Sequence, residues 1–523
     1  MSPCGRRSLM VAPTIAAVCL AGCATTSSPA AVSSRGPGTL VIDTEFDLKS
    51  TDPARQYGST GAIVGKAVYE TLLTLADDNL TKLVDGLARH SLSPDATRLV
   101  LTIKAGHRFS DGTSVTADDV VFSLNRVKGI GANPASLLEG VTVAKTNAST
   151  VTLTSRTPNP GLPFRLTNPA LGVVSRTMVR AKGGTADTTD GAAEALNTSS
   201  AGSGPYQLET AQPGHQITLV RNPRYGGPRP AFEHVVLRNV PPQTQQLNVQ
   251  GGESSIALDL TSAQASTLST TNVRLTRRPS PTVVFLLLNQ LTSVSRWTAD
   301  QDVVTAVRVG LDHQRLVELA GPGSTQPGGI VPAALAGSLP ADPPSTRDVA
   351  AAKAAVKASG YSGAPIRLSY PSDLAVHGMP LSRLAPAIRD QLAEVGLRLT
   401  LAPAPVATEL QAYRGGREQL GLWYWTPDYP DPSNYLTFAP GGQVARRANW
   451  APGEQPAVDA AARAAAAATG TRREAAFRTF QRELNRSGPF IPLVQPPRNI
   501  GSTTALTELA LNPIWTLDVA RVK

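Results

Sequence analysis

The residues best equipped for chemistry sit in one loop. Trp423-Tyr-Trp425-Thr-Pro-Asp428-Tyr-Pro-Asp431-Pro-Ser-Asn-Tyr435 gathers rings and carboxylates around three prolines. Proline fixes φ near −65°, so such a loop loses little entropy when it closes on a ligand. Indole and phenol faces can lie against an apolar ligand, and a carboxylate can pair with an ammonium group. The same residues also fit a plainer role, with the rings as core and the Asp-Pro pairs as turn formers.

Catalytic and metal motifs are missing by comparison. The six histidines (His90, His107, His215, His234, His313, His377) stand singly, with no HExxH and no pair at i, i+3 or i+4. There is no GxxxxGK[ST] loop, no GxGxxG after a strand and no GxSxG, and none of the ten lysines follows a serine by three residues. The chain reads as a non-enzyme that needs no cofactor or metal, although a triad assembled from distant residues leaves no sequence mark.

Composition narrows the class further. The 523 residues allow two or three domains or one large two-lobed body. With 41% apolar and 17% charged residues, they can bury a sizeable core. Lys plus Arg exceed Asp plus Glu by 49 − 39 = 10. The arginines are scattered singly or in pairs such as Arg277-Arg278 and Arg446-Arg447, with no basic stripe, so nucleic acid is not the expected partner.

Before the body comes a processing segment. Arg6 and Arg7 precede an apolar run from Leu9 to Leu20, and Leu20-Ala21-Gly22-Cys23 closes it. About twelve apolar residues are too few to span the ~30 Å of a bilayer core. The segment resembles a bacterial lipoprotein signal, which implies cleavage after residue 22 and a diacylated Cys23. An ordinary secretory signal that happens to end in cysteine is the alternative, and Gly5 to Met10 weakly resembles a twin-arginine signal. Cys4 and Cys19 leave with the leader, so the mature body would hold no free thiol and no disulfide. Residues 23–38, rich in Ala, Ser, Thr, Pro and Gly, suit a flexible tether. No later apolar run reaches 18 residues, so the body is expected to be extracytoplasmic and held to the cell membrane by its lipid.

The elements that position the loop follow from periodicity. Thr39 to Thr44 reads as a buried strand, Gly61 to Leu75 as a helix, and Leu99, Leu101 and Ile103 as a strand feeding a turn at Asp111-Gly112. Thr116-Ala-Asp-Asp119 is a capping pattern for a helix through Val127. Residues 181–203, poor in apolar side chains, read as a surface excursion. Thr282-Val-Val-Phe-Leu-Leu-Leu-Asn289 is apolar enough for a strand buried on both faces. Helices at 346–359 (capped by Ser345 or Thr346) and 381–395, strands at Ile366 to Tyr370 and Leu397 to Leu401, and a long helix over 456–485 give the rhythm of an α/β lobe with a mainly parallel sheet. Phe490 to Val494 closes the series as a strand.

Taken in order, several of these segments resemble the family 5 extracellular solute-binding proteins of ABC importers, the peptide/nickel-binding class. The longest is Arg108-Phe-Ser-Asp-Gly-Thr-Ser-Val-Thr-Ala-Asp-Asp-Val-Val-Phe-Ser-Leu-Asn-Arg126, with Ser114 where the family usually has proline. Asp52-Pro53 with Val68-Tyr-Glu-Thr-Leu72, Gly204-Pro-Tyr206 with Leu219 to Tyr225, Asn289 with Val307 to Asp312 and Arg315, Trp425 to Pro432, and Pro489 to Leu493 complete the match.

The resemblance implies an α/β, two-lobed periplasmic-binding-protein type II fold of the large peptide-binding class, with ligand closed between the lobes. Lobe I would take 39–279 and 490–523, with an extra subdomain at about 76–200, and lobe II would take 280–489. It implies a monomeric receptor that captures a peptide, oligopeptide or dipeptide, and delivers it to an ABC permease and its ATPase. A nickel chelate, haem or oligosaccharide, or a regulatory envelope lipoprotein that kept the fold, are the alternatives. The implied site puts the ligand's α-ammonium on Asp428, beside Trp425, with backbone and hydroxyl groups from Tyr57, Ser59 and Thr60. Dipeptide binders hold the ligand carboxylate with an arginine in the loop before the helix that begins here near Leu381. Asp373-Leu-Ala-Val-His-Gly378 has none, and His377 is the one residue there able to substitute. The signature from Phe109 to Phe122 is expected to be structural.

Overall fold

Chain order in the computed structural model begins with β1 (Thr39–Thr44), the helix α1 (Ser59–Val68) and a hairpin of β2 (Leu73–Ala76) and β3 (Asn79–Asp85). The structure describes residues 38–76, 79–212, 214–341 and 346–523. The leader, Cys23 and the tether through residue 37 lie outside them. The helix predicted over 61–75 ends at Val68: Tyr69 turns to extended backbone, and Leu73 to Ala76 pair with β3 instead of continuing the helix.

Next comes a subdomain built on β4 (Ala88–Leu92), β5 (Arg98–Ile103), β6 (Val141–Lys145) and β7 (Thr150–Ser155), joined in the order β4-β5-β7-β6. Against it lies α2 (Ala117–Ile130), whose start is the capping box expected at Thr116. Its hydroxyl accepts the Asp119 amide and the Asp119 carboxylate accepts the Thr116 amide. Phe109, Val120, Leu124 and Val127 are buried in this subdomain, so the signature does serve packing.

Residues 181–203 are less of a surface excursion than their composition predicts. Asp190 ends in a buried ion-pair network, and Ala192, Leu196 and Ala201 join the core under the first sheet. Arg126, 1% exposed, donates to Asp52 at 2.7 and 2.6 Å and to Asp190 at 2.8 and 2.9 Å, and Arg55 bridges the same two carboxylates.

The first lobe is completed by β8 (Tyr206–Gln212), β9 (Gln216–Arg221), β10 (His234–Asn239), β11 (Ile256–Leu260) and β12 (Val273–Pro279). The second lobe holds β13 (Val283–Leu288), β14 (Ile366–Pro371), β17 (Leu399–Ala404), β18 (Leu420–Trp425) and β19 (Phe490–Val494), and between β14 and β17 the short strands β15 (Ala375–Val376) and β16 (Met379–Pro380) form a hairpin around His377-Gly378. The chain then returns through β20 (Pro497–Thr503) to the first sheet, ordered β12-β20-β11-β1-β10-β9-β8, and ends past the short strands β21 (Leu511–Asn512) and β22 (Thr516–Leu517).

All six residues of β13 are buried, as its composition predicts. Val284, Leu286 and Leu288 face one core, and Val283, Phe285 and Leu287 face an aromatic core on the other side. The second sheet, ordered β17-β14-β18-β13-β19, is mixed, not mainly parallel: β14 runs parallel to β17 and β18, while β13 is antiparallel to both of its neighbours. Because β19 pairs with β13, residues 490–494 sit with lobe II, and the boundary placed at 490 moves to the Gln495-Pro496 crossing. The helix predicted over 456–485 is two, Pro456–Ala467 and Arg472–Ser487, interrupted near Gly470 in left-handed backbone. The helix predicted from 346 begins at Val349, capped by Asp348 and not by Thr346, and Ser345 lies outside the described residues.

Two segments cross between the lobes, Ser280-Pro281-Thr282 and Gln495-Pro496. They are tied to each other, Ser280 Oγ donating to the Pro496 carbonyl at 2.5 Å and Gln495 Nε2 to the Ser280 carbonyl at 3.1 Å. Contacts beyond the crossings join the lobes as well. Leu75 and Leu80 of the β2-β3 hairpin enter the aromatic core of lobe II, and Tyr429 of lobe II enters the core of the β4–β7 subdomain.

Candidate functional site

Asp428 follows β18 in the proline-stiffened loop and meets the first lobe directly. Tyr57, 38% exposed, donates its hydroxyl to the Asp428 carboxylate from across the lobe boundary. Asn434 Nδ2 donates to the other carboxylate oxygen at 3.1 Å, and Asn168 Nδ2 of lobe I donates to the Asp428 carbonyl at 2.6 Å. Burial pushes the Asp428 carboxyl above the ordinary carboxylate range. The hydrogen bonds from Tyr57 and Asn434, with Arg165 and Arg447 farther off, pull back against that rise. Among the described residues no cation forms an ion pair with it, so it is a carboxylate held by neutral donors alone. Burial, the Asp428 charge and its hydrogen bond push the Tyr57 hydroxyl well up, which keeps it a donor.

Trp425 and Asp428 share one support. Asn434 Oδ1 accepts the Trp425 indole N–H at 2.9 Å while its amide holds Asp428. The Trp425 ring meets Phe438 edge to face at 5.8 Å, which fixes its plane. Asp431, the loop's other acid, has a structural role here: it caps the Ser433 amide at 2.9 Å and pairs with Arg473 at 2.5 Å.

Ser59 and Thr60 open α1, and their amides donate at 2.7 and 2.9 Å to the carboxylate of Asp47. An acid at a helix N-terminus satisfies orphan donors and the dipole together. Gly58 allows it: its φ is 145°, and a Cβ there would stand 2.6 Å from Asp47 Oδ2. The two amides are therefore engaged by Asp47 in this structure, and the Thr60 hydroxyl is buried without a partner. Of the three lobe I residues expected at the site, Tyr57 is brought onto Asp428, while the amides of Ser59 and Thr60 face Asp47.

His377 lies deep at the crossings. Its Nε2 is 2.8 Å from Thr282 Oγ1, which is 2.7 Å from Thr426 Oγ1, two residues before Asp428. Gly378 beside it, at φ 76°, lets the hairpin meet the first lobe, since a Cβ would stand 2.8 Å from Thr261 Cα. Burial and the adjacent Arg498 hold the imidazole well below its ordinary pKa. A neutral histidine supplies a hydrogen bond there, not the positive charge that an arginine would.

Asn434, Asn168 and Asp47 escaped sequence reading. Asn434 lay inside the loop that stood out, but nothing distinguishes it from a turn asparagine until its two partners are seen. Asn168 and Asp47 reach the site only through the tertiary fold. A cavity of about 650 Å³ lies elsewhere in lobe II, lined by Thr325, Ser338, Arg478, Arg482 and Gln495 among others, and none of the site residues borders it. Among the described residues no group of three His, Cys, Asp or Glu could hold a metal, and no helix is long and apolar enough to cross a membrane.

Comparison with known proteins places this arrangement in context. The family model for bacterial extracellular solute-binding proteins, family 5 Middle, matches residues 82–445. The Probable D,D-dipeptide-binding periplasmic protein DdpA of Escherichia coli (strain K12) is 27% identical over 444 residues, covering 83% of this chain and 82% of that one. The dipeptide binding protein from Pseudoalteromonas sp. SM9913, solved with Met-Leu, superposes with a TM-score of 0.79 at 17% identity, covering 93% of this chain and 99% of that one. The periplasmic binding protein DppA from Helicobacter pylori, solved with the peptide STSA, gives 0.76 at 19% identity, covering 92% and 97%. The two solved structures share the two-lobed fold with this chain.

Proposed function

The chain belongs to the bacterial extracellular solute-binding proteins of family 5, and from that premise we propose that it captures peptides between its lobes for delivery to an ABC permease. One observation carries the reading: Asp428 is a half-buried carboxylate at the lobe boundary, held by Tyr57 and Asn434 and lacking a cation. Such a group is costly alone and favourable once an ammonium reaches it. The α-amino group of a peptide is the natural partner, displacing the Tyr57 hydroxyl from the carboxylate as it arrives. The relatives support the class of ligand, since DdpA is named for D,D-dipeptides and the two solved structures hold Met-Leu and STSA. Trp425, fixed by Asn434 and Phe438, offers the adjoining apolar surface. We assign the mature chain to the outer face of the cell membrane, tethered through Cys23, acting as a monomer without chemistry of its own.

Calorimetric titration with peptides retained from a mixed pool tests the role of Asp428. Asp428→Asn should weaken them by about 1.5 to 3 kcal/mol, a factor of roughly 10 or more. Unchanged affinity would remove Asp428 from the site.

A further inference from the structure

Arg498 is the second residue of β20, immediately past the Gln495-Pro496 crossing, so the topology sets it where the two lobes join. Its guanidinium is half-buried and donates to Thr516 Oγ1 at 2.6 Å. Among the described residues it forms no ion pair. The carboxylates near enough to act on it are Asp259 and Asp47, and both accept from neutral donors elsewhere, so their charge reaches Arg498 without a hydrogen bond to it. Asp259 Oδ2 accepts from Thr44 Oγ1 at 2.7 Å and from the Glu45 amide at 2.8 Å, and Asp47 accepts the two amides at the start of α1. On the antiparallel pair β12-β20, Arg278 stands directly opposite Arg498, which adds like charge instead of relieving it. A guanidinium carries five donors in a fork that fits a carboxylate, and a partly desolvated one without a counter-ion is unfavourable.

The surroundings are also strained. His377 and Thr516, one beside Arg498 and the other bonded to it, adopt φ of 49° and 69°. A β-branched residue rarely takes that conformation, and strain of this kind gathers where a ligand is held. Among the described residues the crossing region thus has a cation with no ion-pair partner in contact, with Asp259 and Asp47 acting on it only from a distance, and the loop above it has an anion, Asp428, that no cation contacts. The charges acting on Asp428 are Arg165 and Arg447.

We propose that Arg498 is a ligand-binding residue that receives a carboxylate of the solute while Asp428 takes its ammonium, so that the cleft selects zwitterions. The assignment rests on the peptide reading above and moves the carboxylate-binding role from the loop at His377 to the strand that re-enters lobe I. His377, neutral and bonded to Thr282, then acts as a spacer beside the guanidinium.

Equilibrium dialysis with mass-spectrometric readout tests it, using one pool of two- to five-residue peptides as free acids and the same pool as C-terminal amides. Wild-type protein should hold the acids at least 10-fold more tightly than the matching amides. Arg498→Gln should bring the acids down to the amides and leave the amides unchanged, and Arg498→Lys should keep part of the preference. Equal binding of acids and amides by the wild type, or a preference that survives in Arg498→Gln, overturns the assignment and leaves Asp428 in place. If Arg498→Gln does not fold, the wild-type comparison together with Arg498→Lys decides: a preference undiminished in the lysine variant overturns the assignment, and a reduced one supports it. Failure of every free acid to bind the wild type overturns the peptide reading itself, and the assignment with it.

Discussion

Two aspartates three residues apart in one loop do different work, and only their partners separate them. Asp428 and Asp431 look alike as Asp-Tyr-Pro and Asp-Pro-Ser, yet Asp431 is tied to Arg473 and to a backbone amide, while Asp428 has neutral donors only. The loop could be singled out from its residue types, and the resemblance favoured Asp428; the neutral cradle was not legible, because Asn168 and Tyr57 arrive from more than 250 residues away. The electrostatics give a pH dependence. The folded carboxyl titrates above its ordinary value of 3.8, so Asp428 contributes stability to the unliganded protein below pH 3.8 that is lost as pH rises through the folded pKa. An ammonium ligand binds the ionised form, so peptide affinity should fall as pH drops through that pKa, with its onset above pH 3.8. Asp428→Asn should lack this limb in calorimetric titrations across pH 3.5 to 7, and a limb that persists in the variant would assign it to another group.

At the scale of elements, periodicity was a good guide where one force dominated. The strand β13 and the capping box at Thr116 follow directly from apolar run and spacing. Where a single glycine or a distant charge intervened, it was not. Gly470 splits a helix that alanine content alone would continue, and Asp190 draws an apolar-poor segment into the interior by binding Arg126. That network fixes the turn at Asp52-Pro53, five residues before Tyr57, and so helps set where the site's lobe I face lies. Removing a buried charge partner costs roughly 3 to 5 kcal/mol because the partners remain behind. Arg126→Met should destabilise the first lobe by about 3 kcal/mol, the lower end, since Arg55 still bridges both carboxylates. Thermal unfolding followed by circular dichroism measures it, and a loss under about 1 kcal/mol would show that the network contributes little.

For the whole molecule, the two-lobed plan could be read from the order of motifs, and the final crossing could not. Phe490 to Val494 is apolar enough for either sheet, and only its pairing with β13 sets it in lobe II. The crossings are bonded to one another through Ser280 and Gln495, and the proposed capture requires the lobes to turn about them while contacts such as Tyr57 to Asp428 form and break. A hinge with an anion on one side and a cation at its base, neither in an ion pair among the described residues, is suited to closing on a small zwitterion. Native mass spectrometry of the purified chain, before and after exposure to a mixed pool of short peptides, tests that account most directly. The added masses should match peptides with free amino and carboxyl termini, retained at one per protein. A chain that stays bare after exposure, or that retains only molecules without an ammonium group, would contradict it.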